Sequence, residues 1–496
     1  MRMRLVRNQA VLTGWTGVPM NSAFRHTKII FTVGPATEST EQLRSILEAG
    51  GGVCRLNMAH ASHEWCQNLV KRLRRVSGEL NQPVALMMDI KGPEVRTGPL
   101  DSPVTLESGA EVIVCPEAQA PRCRAQSDRI VVSTNYPGLA GDMTPGTTLL
   151  IDNGMIQMTV EKREGSILHC RVLSRGVLGS RRHINLPGIT TRLPSMTEKD
   201  CLDTQFGIEL GVEYFAMSFV RQADDVDLMR RFLSDRGSSS RIIAKIEDQS
   251  AVANLEEIIK ASDGLMVARG DLGIEMPFER LPIIQRQAVN LCLMEGRPVI
   301  IATHLLESMV SSPIPTRAEI TDVANGVNEG ADCLMLSGET AVGAYPVKCV
   351  EIMARTIESI EGNIEMAHNE QLHLKSAKSK ILRSAVVLAE DLGGAGIVVF
   401  TRNGYLARVL SLLRPIRSPV YAFTDEETVY HQMALLWGVE PIFMPLKAEP
   451  EAVLDEAFSV LLSRKNVSVD EQLVVITNVL LEGEVLDTVQ LRTVKS

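Results

Sequence analysis

From Thr27 to about Gly362 short apolar runs alternate with stretches of helical periodicity. The apolar runs predict strands at Lys28–Val33, Val53–Asn57, Val84–Asp89, Tyr214–Phe219, Ile242–Ile246, Gly264–Val267, Pro298–Thr303 and Cys333–Ser337. Unbroken apolar runs of this length suit strands buried on both faces. Helices follow from amphipathic spacing at about Glu64–Gly78, Glu198–Leu210 and Val347–Glu361. Capping patterns at Ser39-Thr40-Glu41-Gln42 and Thr316-Arg317-Ala318-Glu319 open two more. Once an insertion is set aside, the repeat makes eight βα units, the count of a (β/α)8 barrel of about 250 residues.

The insertion runs from about Pro93 to Pro187. It is rich in Val, Thr, Gly and Pro, with strand-like pieces at Glu111–Cys115, Arg129–Ser133, Thr147–Ile151 and His169–Leu173. It reads as a small β-barrel-like domain, placed after the third strand to act as a lid. Beyond about Glu370 a new alternation begins. Strands are expected at Gly396–Thr401, Val420–Phe423, Ile442–Met444, Gln472–Thr477 and Thr488–Val494, with helices between them and loops at 463–470 and 478–487. The fold class is therefore α/β. Its parts are an extension over 1–24, a barrel over 25–92 and 188–365, the inserted β domain over 93–187 and a C-terminal α/β domain over 366–496.

The richest stretch is Arg241–Glu275. Two strands flank one amphipathic helix, a right-handed parallel crossover that brings both strand ends to one edge. Lys245 and Glu247 lie two apart and share a face. Asp271 follows the next strand in Ala268-Arg269-Gly270-Asp271. A lysine and two carboxylates at one mouth suit a divalent metal and a phosphorylated substrate. The same groups would also serve one another as a buried ion-pair network. Charged groups at the ends of parallel strands favour the metal.

Composition narrows the classes. The 496-residue chain carries a formal net charge of −9, which argues against general affinity for nucleic acid or an anionic membrane. No apolar run approaches the ~20 residues that span a bilayer. Nine cysteines without a CxxC argue against a disulfide framework or zinc site and for a reducing, cytoplasmic setting. Met1–Arg25 is basic and holds no acidic residue. It reads as an extension, or as residues upstream of a start at Met20, in preference to a targeting peptide.

Several long motifs stand in order: Thr27-Lys28-Ile29-Ile30-Phe31-Thr32-Val33-Gly34-Pro35, Arg55-Leu56-Asn57, Lys91-Gly92-Pro93-Glu94-Val95-Arg96, Asn185-Leu186-Pro187-Gly188, Lys245-Ile246-Glu247 and Arg269-Gly270-Asp271-Leu272-Gly273. With Leu336-Ser337-Gly338-Glu339-Thr340-Ala341 they resemble pyruvate kinase. The resemblance runs from about Thr27 to the C-terminus, by motif in the barrel and by pattern beyond it.

It implies transfer of the phosphoryl group of phosphoenolpyruvate to ADP, giving pyruvate and ATP. By it, Glu247 and Asp271 hold Mg²⁺, Lys245 stabilises the group in flight, Arg55 grips phosphate, and Gly270 and Asp271 bind the substrate carboxylate. Thr303 helps deliver a proton. Thr32, Pro35, Asn57, His60, Arg96 and Lys199 match nucleotide contacts. Asn57, Asp89 and the Ile90 carbonyl match ligands of K⁺, and Glu94 matches members that require that ion. A homotetramer is the family expectation. Three positions depart from the family pattern: Ala59 replaces a serine, His304 a glutamine and Asn153 an aspartate. Two other readings remain, a metal-dependent lyase on a 2-oxo acid and a sensor that kept the fold. A lid over a nucleotide argues against the first and the intact Lys245, Glu247, Asp271 and Thr303 against the second.

Overall fold

The structure is a computed structural model, and it describes residues 24–363, 372, 374, 376–446, 449–481 and 484–495. The basic segment through residue 23, Met20 included, lies outside the described residues.

Eight parallel strands close a barrel: β1 (Lys28–Thr32), β2 (Gly51–Asn57), β3 (Ala85–Ile90), β4 (Tyr214–Met217), β5 (Arg241–Ile246), β6 (Gly264–Ala268), β7 (Val299–Ala302) and β8 (Cys333–Leu336). The order around the barrel is β1-β8-β7-β6-β5-β4-β3-β2. Both strand faces are buried, so the alternation of side chains splits into two cores. Ile30, Val53, Met87, Tyr214, Ile243, Met266 and Ile300 fill the interior. Ile29, Phe31, Cys54, Leu56 and Phe215 face the surrounding helices. Cys54 and Cys333 are core cysteines at 0% exposure.

Caps hold the helices where the sequence places them. Ser39 accepts from the Gln42 N–H, and Thr316 and Glu319 form a reciprocal capping box. One expectation fails between β5 and β6. The single amphipathic helix is two, Gln249–Ala253 and Leu255–Ala261. Asn254 separates them, and its Nδ2 donates to the Arg221 carbonyl at 2.8 Å. Asparagine competes in this way for backbone partners and interrupts a helix.

The insertion leaves after β3 and returns before β4. A six-stranded sheet and a two-stranded one surround a separate apolar core that includes Leu106, Val114, Val132, Leu149, Met158 and Leu168. It also holds a helix that the sequence pattern did not show, Ala120–Gln126, too short to display a period and opened by Pro121.

The C-terminal sheet has the order β11-β10-β9-β12-β13, from β9 (Gly396–Phe400), β10 (Val420–Thr424), β11 (Val439–Phe443), β12 (Gln472–Leu481) and β13 (Glu484–Thr493). The expected loop over 478–487 is a correction: β12 and β13 pair antiparallel out to Leu481↔Glu484. A partner strand extends both segments beyond what either pattern shows alone. Residues 482–483 lie outside the described residues. β11 begins earlier than expected, at Val439, and carries Pro441, which its edge position tolerates. The helix between β10 and β11 is short, Glu427–Gln432, and a tighter turn follows over Met433–Leu435. That turn sends Ala434 and Leu435 into the barrel interior, where they pack with Tyr214 and Cys333.

Candidate active site

The C-terminal ends of the barrel strands converge on one charged network. Lys245, at the end of β5, is 8% exposed. Its Nζ lies 2.8 Å from Glu247 Oε1, 3.2 Å from Asp89 Oδ1 and 2.7 Å from Ser218 Oγ. Asp89, on β3, also accepts from Arg55 Nε on β2 at 2.7 Å. Arg55 Nη1 donates to Thr32 Oγ1 at 3.1 Å, and that hydroxyl donates to the Leu336 carbonyl on β8 at 2.8 Å. The Phe219 N–H donates to Glu247 Oε2 at 2.7 Å. The spacing of two residues thus puts Lys245 and Glu247 side by side, as the strand alternation requires.

The electrostatics are mutual. Burial opposes the Lys245 charge, but the Asp89 and Glu247 carboxylates outweigh it and raise the ammonium above its ordinary value. Burial also opposes ionisation of Asp89. The Lys245 and Arg55 cations reverse this and lower it. Burial pushes Glu247 up to about 7; Lys245 pulls the other way, and the Asp271 carboxylate adds to the rise.

Asp271 sits in the first turn of the helix Arg269–Glu275, directly after β6. Among the described residues, no side chain pairs with its carboxylate in an ion pair. The Gly270 N–H donates to Thr303 Oγ1 at 2.7 Å, and that hydroxyl donates to the Ala302 carbonyl at 2.7 Å. Thr303 and His304 have φ of +68° and +54°. A β-branched residue in the left-handed region is strained, and strain of this kind collects at functional sites. Arg269 holds the turn in place, with Nη2 donating to the Thr303 carbonyl at 2.6 Å and Nη1 paired with Asp322 at 2.7 Å. A Cβ on residue 270 would stand 3.3 Å from Thr303 Oγ1 and 3.4 Å from His304 Cε1. His304 is exposed and turned toward Gly270 at the mouth.

Thr32, Pro35, Asn57 and His60 line one open pocket of about 470 Å³, together with Trp65 and Val342. Thr32 joins this pocket to the charged network through Arg55. The structure does not bring Arg96 and Lys199 to the pocket wall. Arg96 Nε lies 2.6 Å from Glu94 Oε2 and its Nη1 donates to the Arg181 carbonyl. Lys199 is paired with Asp203 and donates to the Met58 carbonyl at 2.9 Å. Asn57 Oδ1 accepts the Ala59 N–H at 3.1 Å. Ile90, the last residue of β3, is fully buried. Asn153, the third departure, has φ of +55° in the turn after the strand Thr148–Ile151 of the inserted sheet.

Sequence reasoning missed Ser218, which touches both Lys245 and Asp89. Ser218 directly follows the last residue of β4, and only the sheet order that sets β4 between β3 and β5 brings it to Lys245 and Asp89.

Fold and site together define a (β/α)8-barrel enzyme with an inserted β domain at its mouth and an α/β domain appended. The family described as "Pyruvate kinase, barrel domain" matches residues 24–350, and "Pyruvate kinase, alpha/beta domain" matches 379–490. The chain is 39% identical over 456 residues to plastidial pyruvate kinase 2 of Arabidopsis thaliana, covering 91% of this chain and 78% of the relative. It is 39% identical to pyruvate kinase of Clostridium acetobutylicum, covering 84% of this chain and 88% of that one. A solved pyruvate kinase from Cryptosporidium parvum superposes with a TM-score of 0.87 at 31% identity, covering 95% of this chain and 96% of that one. The chain belongs to the pyruvate kinase family.

Proposed function

We propose that this protein transfers the phosphoryl group of phosphoenolpyruvate to ADP, yielding pyruvate and ATP, with Mg²⁺ and K⁺ as cofactors. The observation that carries the reading is Lys245, a buried ammonium fixed by three oxygens at the barrel mouth beside a strained threonine and an open pocket.

Glu247 and Asp271 fit a divalent cation. Burial, and the Asp271 charge after it, raise Glu247, and the Asp271 carboxylate is left without an ion-pair partner among the described residues. No group of three or more His, Cys, Asp or Glu side chains clusters for a metal among those residues. A carboxylate pair suits Mg²⁺, which commonly takes one or two carboxylates and completes its shell with water and substrate phosphate. When bound, the cation supplies positive charge next to the substrate phosphate and carboxylate.

The residues divide the remaining work. Lys245 stabilises charge on the phosphoryl group as it moves, and such electrostatic positioning carries most of the catalysis of phosphoryl transfer. Arg55 orients the phosphate with its planar fork. The Asp271 N–H, and the Gly270 N–H once it leaves Thr303 Oγ1, receive the substrate carboxylate at the start of the helix. Thr303 passes a proton through water to the enolate carbon. Thr32, Pro35, Asn57 and His60 seat the nucleotide, and Arg96 and Lys199 exchange their carboxylate partners for its phosphates. Asn57, Asp89 and the Ile90 carbonyl are the oxygens that would hold K⁺. A homotetramer is the proposed assembly.

Among the described residues no helix is long and apolar enough to cross a membrane. Relatives named from plastids stand beside bacterial ones. The cytoplasm is the proposed site of action, on nine cysteines that are all free thiols. A coupled assay with phosphoenolpyruvate, ADP, Mg²⁺ and K⁺ tests the reaction. Pyruvate and ATP formed in equal amounts support it. Pyruvate formed without ATP would point to lyase or phosphatase chemistry instead.

A further inference from the structure

Glu275 closes the helix in which Asp271 occupies the first turn. The two are four residues apart, one turn along the same face. Glu275 is 9% exposed, and among the described residues no cation forms an ion pair with it. Its Oε1 accepts the Leu186 N–H at 3.2 Å, and the neighbouring Asn185 side chain favours the same carboxylate's charged form. Both residues belong to the segment by which the inserted domain returns to the barrel. Asn185 itself pairs with Leu150 inside the six-stranded sheet. The Glu275 carbonyl accepts Gln249 Nε2 at 2.6 Å, and Gln249 stands two residues after Glu247. A cavity of about 60 Å³ lies among Asn185, Leu186, Phe219, Glu247, Gln249 and Glu275.

A buried carboxylate without a cation is expensive, and stability alone would favour an apolar or neutral side chain. What this carboxylate gains is attachment. All its donors come from the inserted domain, and its own helix carries Gly270 and Asp271. We propose that Glu275 is a positioning residue that ties the return segment of the inserted domain to the helix bearing Asp271, so that movement of that domain is transmitted to the metal end of the site. The proposal rests on the reading of the site given above.

Glu275→Ala, Glu275→Gln and Asn185→Ala test it, by hydrogen exchange and by Mn²⁺ titration followed by electron paramagnetic resonance, both without substrate. Glu275→Ala removes the Leu186 bond and the Asn185 contact. Exchange should rise together in 184–188 and 269–275, and the Mn²⁺ dissociation constant should rise about tenfold, the worth of one such hydrogen bond. Glu275→Gln keeps an acceptor for the Leu186 N–H. Asn185 Oδ1, buried and without a partner, can accept from the new amide after a flip. This variant should stay near wild type. Asn185→Ala should reproduce the joint change from the other side, and it decides the matter if Glu275→Ala fails to fold.

Faster exchange confined to 184–188, with wild-type Mn²⁺ affinity, would overturn the proposal and leave Glu275 a local fastening only. A Glu275→Gln variant as impaired as Glu275→Ala would overturn it as well. Wild-type protein without phosphoryl transfer in the coupled assay would defeat the reading of the site, and the exchange and Mn²⁺ data would still judge the coupling.

Discussion

Lys245 Nζ lies 2.8 Å from Glu247 Oε1, so the residue proposed to stabilise the phosphoryl group touches a residue proposed to hold the metal. The lysine is shared between Glu247 and Asp89, and Asp89 is shared in turn with Arg55. Four charged groups from β2, β3, β5 and its end are thus one unit. Without a divalent cation, Lys245 supplies the nearest positive charge to Glu247. With one, Glu247 is relieved of the Asp271 repulsion and Lys245 is freer to face substrate.

That arrangement makes metal binding pH-dependent. Glu247 is pushed up to about 7 by burial, and a metal ligand must be ionised to bind. A proton on Glu247 therefore competes with Mg²⁺. Apparent Mn²⁺ or Mg²⁺ affinity should fall by up to about tenfold per pH unit below ~7 and level off above it. The sign for folding is consistent. A carboxyl raised in the folded state binds a proton that the unfolded chain has already released. The metal-free protein thus loses stability from this group as pH rises from the ordinary carboxylate range to about 7. Titration calorimetry at pH 6 and pH 8 checks the binding claim, and equal affinities would refute it.

K⁺ dependence should survive the loss of one ligand. Glu94 is the residue expected of K⁺-requiring members, and here it is half-buried between Lys91 and Arg96, at 3.2 and 2.6 Å. At position 59 the chain offers only a backbone N–H to Asn57 Oδ1. Hard cations depend on the number of oxygen ligands, so K⁺ affinity should be weak and improved by Ala59→Ser. Full activity in a bulky organic cation alone would contradict the requirement. An unchanged K⁺ titration in Ala59→Ser would contradict the ligand assignment only.

His304 faces the mouth, next to Gly270. The ring borders Gly270, whose N–H is proposed to receive the substrate carboxylate, so His304→Gln should raise the KM for phosphoenolpyruvate while leaving the chemistry of Lys245 in place. Superimposable saturation curves would dismiss the residue.

Fructose 1,6-bisphosphate should not activate this protein. The stretch Thr401–Leu406 offers one arginine, and Arg402 is engaged by Asp425 at 3.5 Å. Thr401 is buried at 5% exposure, so its hydroxyl is withdrawn from an incoming phosphate. The neighbouring sequence from Asn478 to Glu484 is apolar and acidic, and acidic groups repel a bisphosphate; its side chains lie outside the described residues. A clear fall in half-saturating phosphoenolpyruvate on adding the bisphosphate would refute this.

The barrel was legible because each strand is a short apolar run that ends in a chemically distinct residue. Lys245, Glu247 and Asp271 could be placed at one mouth from spacing and crossover handedness alone. Ser218 could not be singled out by type, since a serine after a strand is ordinary. It matters only because β4 lies between β3 and β5, a neighbourhood set by sheet order. The break at Asn254 depends on a carbonyl 33 residues away in sequence, that of Arg221, and periodicity cannot see it. The β12–β13 hairpin and the turn that plugs the barrel with Leu435 are likewise fixed by partners distant in the chain. The present pairing of Arg96 with Glu94 and of Lys199 with Asp203 is a matter of side-chain choice among several partners, and no motif encodes it.

The most direct test of the account is phosphoryl transfer by Lys245→Met, measured beside Mn²⁺ binding in the same preparation. The ammonium acts on charge in the transition state, whereas Glu247 and Asp271 hold the metal. The variant should stay folded, still bind Mn²⁺ when assayed above the Glu247 titration range, and lose on the order of 10²–10³ or more in kcat. A near-normal kcat, with Mn²⁺ bound, would contradict the assignment of Lys245 and with it the central claim.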